Sequence, residues 1–165
     1  CIREWYTHIG GGPTRLQSST RYVKWEGNNF ADNFVIPPSV EKAKENEEAK
    51  TCLADFEKSF MNLIDSMEKA GVPKEDIAMF YPLGMKTKIV DKRNMRNLVE
   101  MSHQRLCTRA YWEYRKLMKD ICSALSEYSE EWKWIVDNLM KPKCEVVGFC
   151  KEKKSCGRKP KLEDK

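Results

Sequence analysis

The sequence predicts a helix-dominated α+β fold in one domain-sized chain of 165 residues. Three observations carry this. Several stretches repeat apolar residues at helical spacing, only two or three short segments read as strands, and Gly and Pro clusters separate them.

The first segment holds Gly10-Gly11-Gly12-Pro13 and then Thr14 to Trp25. The glycines and Pro13 exclude a regular element there. A loop of Gly, Ser, Thr and Arg offers backbone N–H groups and the guanidinium forks of Arg15 and Arg21, donors suited to phosphate. A plain surface loop has the same composition.

Phe34-Val35-Ile36 reads as a short strand stopped by Pro37-Pro38, with Ser39 placed to cap the next segment. Glu41–Lys50 is almost wholly charged, a solvated helix face or a linker. From Cys52 onward Leu53, Phe56, Phe60, Leu63, Ile64 and Met67 form one helical stripe, expected to be core. Gly71 ends that helix and Pro73 starts a short turn through Ile77. Tyr81-Pro82-Leu83-Gly84 is a turn, and Lys86–Val90 alternates like a strand. A helix is expected over 93–106. Another begins near Thr108, with Tyr114, Leu117, Ile121 and Leu125 inward. A third is capped by Ser129, with Trp132, Ile135, Val136 and Leu139 inward, and Pro142 closes it.

Composition bounds the function. The chain is 41% hydrophobic and 33% charged, with six Phe, six Tyr and five Trp, so it is not a solvated coil. No apolar run approaches the ~20 residues of a membrane span, and no signal-peptide pattern is present. Seven cysteines, at 1, 52, 107, 122, 144, 150 and 156, suggest reduced thiols in the cytoplasm rather than a disulfide framework. Net charge is +5. Between Lys141 and Lys161 stand eight Lys or Arg and two Glu, a tail that could attract phosphate or be simply solvated. The expected division is 1–141 for the main domain and 142–165 for a basic, cysteine-containing tail. Because the chain opens on Cys1 within what reads as a motif, a fragment is expected.

The helix over 93–106 concentrates polar chemistry. Asn94, Leu98, Met101 and Arg105 share one face, and Arg96, Glu100, His103 and Cys107 the opposite one. Two arginine-bearing faces could serve two pockets, or one pocket shared between subunits. Arg96–Glu100 is equally readable as an ordinary i,i+4 ion pair. His103 is also readable as a surface histidine, and Cys107 as a packed thiol.

The pattern Asn94-x-Arg96, eight residues, Arg105, then Thr108-Arg109-Ala110-Tyr111-Trp112-Glu113-Tyr114-Arg115 resembles the C-terminal signature of flavin-dependent thymidylate synthases, where an Ala-Gln-Trp-Glu-Ile-Arg-like run closes the motif. Arg3-Glu4-Trp5-Tyr6-Thr7-His8-Ile9, with Ser19-Thr20-Arg21-Tyr22 beyond, is similar to the family's other signature, an Arg-His-Arg core, a loop and Ser-x-Arg-Tyr. The tail Cys144…Gly148-Phe149-Cys150…Ser155-Cys156-Gly157 also resembles an ending seen in some members. Departures accompany the likeness. The core reads Thr7-His8-Ile9 without its arginines, and the loop after it is longer. Gln17 stands for an acidic residue, and Ala78 lies near the place of an expected Arg. The family's segment before that core, which carries part of the flavin site, has no counterpart here.

The resemblance implies an enzyme that methylates dUMP to dTMP, taking the one-carbon unit from methylenetetrahydrofolate, with FAD as cofactor and NADPH as reductant. It implies a cytoplasmic homotetramer with shared active sites, acting on small molecules, with neither membrane nor nucleic acid as partner. By position, Gln17, Ser19, Thr20, Arg21 and Arg105 would bind dUMP, with Arg105 also catalytic. His8, Asn94, Arg96 and His103 would hold FAD, and no metal is implied. Arg93 lies outside the motif, so its replacement is expected to be nearly neutral. Two alternatives stand beside this reading. One is a catalytically degenerate nucleotide-binding relative of the same fold. The other is a small metal-stabilised nucleic-acid-binding module, resting on Cys144, Cys150, Cys156 and the basic tail.

Overall fold

The computed structural model describes residues 14–19 and 29–162. It is helix-dominated α+β and divides into two compact units, Arg15–Val90 and Cys1–Thr14 with Asp91–Lys165. Each is described by itself.

Strand β1 (Thr14–Gln17) pairs with β2 (Ile89–Lys92) in a two-stranded sheet, continued where the Ser18 N–H donates to the Lys88 carbonyl at 3.0 Å; the segment read as a loop without regular structure thus holds a strand, because a distant partner supplies its ladder. The strand expected at Lys86–Val90 thus begins at Ile89, since pairing with β1 decides where the ladder lies. In the unit Arg15–Val90, the short helix α1 (Phe30–Asn33) precedes Phe34. Phe34 forms one isolated antiparallel bridge to Met85 instead of the expected strand through Ile36. That bridge brings backbones close. The Val35 N–H donates to the Gly84 carbonyl at 2.8 Å, and a Cβ on Gly84 would lie 3.0 Å from the Val35 carbonyl oxygen.

Helix α2 (Pro38–Ala43) has Pro37 at its N-cap and Pro38 at its first position. Ser39, expected as the cap, is inside the helix. Helix α3 (Glu47–Lys69) is capped by Asn46, whose side chain accepts the Ala49 N–H at 2.9 Å. It ends in a left-handed Gly71, φ 77°, with Val72 N–H to Met67 carbonyl at 3.1 Å and Gly71 N–H to Glu68 carbonyl at 3.0 Å. Those two bonds satisfy carbonyls of the helix's last turn. Helix α4 (Lys74–Ile77) and a 3₁₀ turn at Ala78–Phe80 come next.

The core of this unit is aromatic. Phe30 stacks on Phe34 at 4.3 Å, and Phe60 meets both edge-on at 5.7 and 5.6 Å, geometries that suit the ring quadrupoles. Ile64 and Ile77 complete it. Of the predicted α3 stripe, Phe60 and Ile64 are buried and Leu53 and Met67 half-buried. Phe56 and Leu63 are 48% and 41% exposed, a correction to the all-core reading. The contact surface narrows to the part of α3 that faces α1 and α4.

In the other unit, α5 (Met95–Arg105) comes after β2, then α6 (Trp112–Tyr128), α7 (Glu130–Leu139) and α8 (Lys143–Val147). The expected helix at Thr108 starts instead at Trp112. Residues 107–111 form a loop, tied where an Arg115 Nη1 donates to the Thr108 carbonyl at 2.6 Å. Helices α6 and α7 pack together, joined at an extended Ser129 whose hydroxyl accepts the Trp132 N–H at 3.3 Å, as predicted. Met101, Tyr114, Met118 and Met140 form the buried apolar centre. After α8 the chain turns at a left-handed Gly148, and the buried Cys150 donates its N–H to the Pro160 carbonyl at 2.7 Å. The basic tail is therefore pinned back on itself, and Arg158 pairs with Glu145 at 3.4 Å. No helix among the described residues is long and apolar enough to cross a membrane.

Candidate functional site

The site is built on α5 and the side chains that pack beneath it. Asn94 is the N-cap of this helix; its side-chain oxygen accepts the Asn97 N–H at 2.8 Å. The cap uses the carboxamide oxygen, and the carboxamide nitrogen is a donor. Two residues on, Arg96 projects into solvent with its side chain 87% exposed, paired through Nε to Glu100 at 3.0 Å.

His103 comes directly after a buried Ser102 and places Nε2 3.1 Å from the carbonyl oxygen of Leu139, the last residue of α7. In the tautomer with hydrogen on Nε2, the ring donates to this helix-terminal carbonyl, which also accepts the Lys141 N–H at 3.0 Å. His103 thus ties α5 to α7.

Arg105 ends α5 and sets its guanidinium carbon 4.5 Å above the centroid of the Tyr114 ring. Tyr114 is fully buried, and its phenol donates to the Met101 sulfur at 3.1 Å. Burial pushes the phenol up to about 12, the charge of Arg105 opposing the shift. Arg105 therefore faces inward onto α6, so the two faces of this helix differ. One arginine is solvated, and the other is stacked on the core.

Sequence reasoning missed the support under this face. Arg93 Nε meets Asp91 at 2.6 Å, with both side chains only 5% exposed, and Arg93 Nη1 reaches the Asn97 side-chain oxygen at 2.7 Å. Arg93 is thus a buried anchor, which argues against the nearly neutral replacement expected from its place outside the motif. The carboxylate two positions before it was the available signal.

Arg96, His103 and Arg105 all lie on α5 and Asn94 is its N-cap, but Arg96 is solvated while Arg105 faces Tyr114. Gln17 lies in β1 and Ser19 is exposed just beyond it, in the other unit. His8, Thr20 and Arg21 lie outside the described residues. Among those described, no group of three His, Cys, Asp or Glu is arranged to hold a metal ion. Next to the N-terminal end of α5, Met95, Trp134, Ile135 and Leu139 line an open apolar groove of about 560 Å³, with Glu130 and Glu131 on its rim. Near the tail, Cys156 is exposed, and hydrogen bonds from the Thr108 hydroxyl and the Arg158 backbone hold its thiol below the usual range.

This helix therefore carries one solvated and one inward-facing guanidinium, donor groups of the kind that suit carboxylate or phosphate. Comparison with known proteins makes this specific. The family described as thymidylate synthase complementing protein matches residues 1–129, so the chain belongs to that family, the flavin-dependent thymidylate synthases. It is similar to the flavin-dependent thymidylate synthases of Thermococcus onnurineus, 32% identical over 136 residues, and Pyrococcus abyssi, 30% over 138. Those matches cover 82% and 83% of this chain but 54% and 55% of the relatives, so the chain spans about half their length. Its fold is like that of the flavin-dependent thymidylate synthase of Helicobacter pylori, solved with FAD and dUMP. That likeness has a TM-score of 0.55 at 20% identity, covering 85% of this chain and 67% of that one.

Proposed function

We propose that this chain carries out the family's reaction, the reductive methylation of dUMP to dTMP with FAD, methylenetetrahydrofolate and NADPH. The observation that carries it is Arg105, nine positions after Arg96 on one helix and fixed over Tyr114.

The residues on α5 fit an anionic cofactor. Arg96 and Glu100 have side chains 87% and 57% exposed, and an exposed pair of this kind contributes only about 0.3–0.5 kcal/mol, so a diphosphate competes with it readily. Asn94 and Arg96 would hold FAD, joined by His8 and, beside its tie to Leu139, His103. FAD, once reduced by NADPH, would supply the hydride that converts the transferred methylene to methyl. Gln17, Ser19, Thr20 and Arg21 would meet the phosphate and sugar of dUMP. Arg105 would hydrogen-bond the uracil and favour the negative charge that develops as its C5 attacks the one-carbon unit. The planar guanidinium suits paired carbonyl acceptors better than an ammonium would.

This reading includes a homotetramer with shared active sites, a cytoplasmic location, and a basic tail over 142–165 appended to the family domain over 1–141. A second reading is favoured by Thr7-His8-Ile9, which lacks two arginines of the family core. Such a chain would bind nucleotide without turnover. Flavin absorbance of the purified protein and tritium release from dUMP labelled at C5 separate the two. Flavin-dependent release supports the enzyme, whereas dUMP binding without release supports the degenerate relative. A colourless protein that binds neither ligand contradicts both.

A further inference from the structure

Arg105 and Met101 are i,i+4 neighbours on α5 and reach the same side chain. Met101 accepts the Tyr114 hydroxyl at 3.1 Å, while Arg105 covers the ring face at 4.5 Å. Tyr114 sits in the first turn of α6 and is fully buried, so its ring cannot turn away from either. The family's Trp-Glu-Ile-Arg run has an isoleucine at this place.

We propose that Tyr114 is a positioning residue for Arg105: its buried ring holds the guanidinium in the orientation that meets the nucleotide. This rests on the assignment of Arg105 to dUMP. The physical basis is the attraction between a cation and the negative face of an aromatic ring. A guanidinium carries five N–H donors, so one held over the ring keeps others for carbonyl and phosphate acceptors. The two contacts are compatible, and an arginine already stacked gives up less rotamer freedom when its ligand arrives.

The test uses the 165-residue chain. dUMP is titrated to millimolar concentration with FAD present, following the Arg105 Nε–H resonance by NMR. The variants are Tyr114→Phe, Tyr114→Leu, Arg105→Ala, and phenylalanines at 114 bearing one, two or three ring fluorines. Fluorination drains the negative ring face while nearly preserving shape, so it reads the electronic contact even if Tyr114→Leu does not fold. Tyr114→Phe should bind dUMP within about twofold of the parent chain, since it keeps the ring. Affinity should then fall stepwise, by roughly five- to thirtyfold across the fluorinated series, with an unchanged Tm. A flat series, with Arg105→Ala still weakening dUMP, overturns the role of Tyr114 alone. An Arg105→Ala chain that binds dUMP like the parent, or a parent that does not bind it, overturns the assignment of Arg105 and this role with it.

Discussion

Arg93 and Asp91 form an ion pair at 2.6 Å with both side chains 5% exposed, immediately before the helix that carries the proposed ligand residues. The pair sits at the exit of β2 and, through the Arg93 bond to Asn97, fixes the first turn of α5.

Removing one partner strands the other charge in a poorly solvated place. Arg93→Ala is therefore expected to destabilise the chain by about 3–5 kcal/mol, read as a lower urea midpoint. Replacing both residues by apolar ones of similar volume should recover much of that loss. A neutral Arg93→Ala would restore the expectation from sequence that its replacement matters little.

The end of α3 gives a smaller, backbone-based expectation. Gly71 has φ 77° and nothing within 4 Å of where a Cβ would stand. Gly71→Ala meets no clash, so its cost is conformational, about 1–2 kcal/mol in thermal or urea unfolding. Gly71→Asn, which tolerates this region better, should cost less.

Tyr114 should make the protein alkali-sensitive. Its phenol is raised from 10.0 to about 12 in the folded state, so folding favours the protonated form. The contribution is complete below pH 10, the unfolded value, and is lost as pH rises toward about 12. Ultraviolet titration should show one tyrosine ionising late, at the onset of unfolding. Tyr114→Phe should remove this part of the pH dependence, and an unchanged profile would argue against the buried phenol.

Local chemistry was legible in the sequence where it is settled within a few residues. The Ser129 cap, the Gly71 terminus and the Tyr114 side of α6 were all readable from spacing. The readings that failed depend on partners distant in the chain or on loop contacts. Phe34 pairs with Met85, which sequence periodicity cannot register, so a bridge was read as a strand. Thr108 carries the hydroxyl of a helix cap, yet the bond from Arg115 to its carbonyl holds a loop there and delays α6 to Trp112. In the site, Asn94, Arg96 and Arg105 stood out through the family spacing. The stacking of Arg105 on Tyr114 and the burial of Arg93 arise from the packing of α5 on α6 and on β2's end, which one helix's pattern does not contain.

The most direct test of the proposed function is the rate of tritium release from C5-labelled dUMP by Arg105 variants, with FAD, NADPH and methylenetetrahydrofolate supplied. Lys119, exposed on α6 and outside the site, provides the control as Lys119→Ala. Loss of one charge-stabilising donor typically costs on the order of 10²–10³ in rate. Arg105→Ala should show a loss of that size with its fold retained, Arg105→Lys a smaller one, and Lys119→Ala none. A folded Arg105→Ala chain that releases tritium at the parent rate would contradict a catalytic role for Arg105.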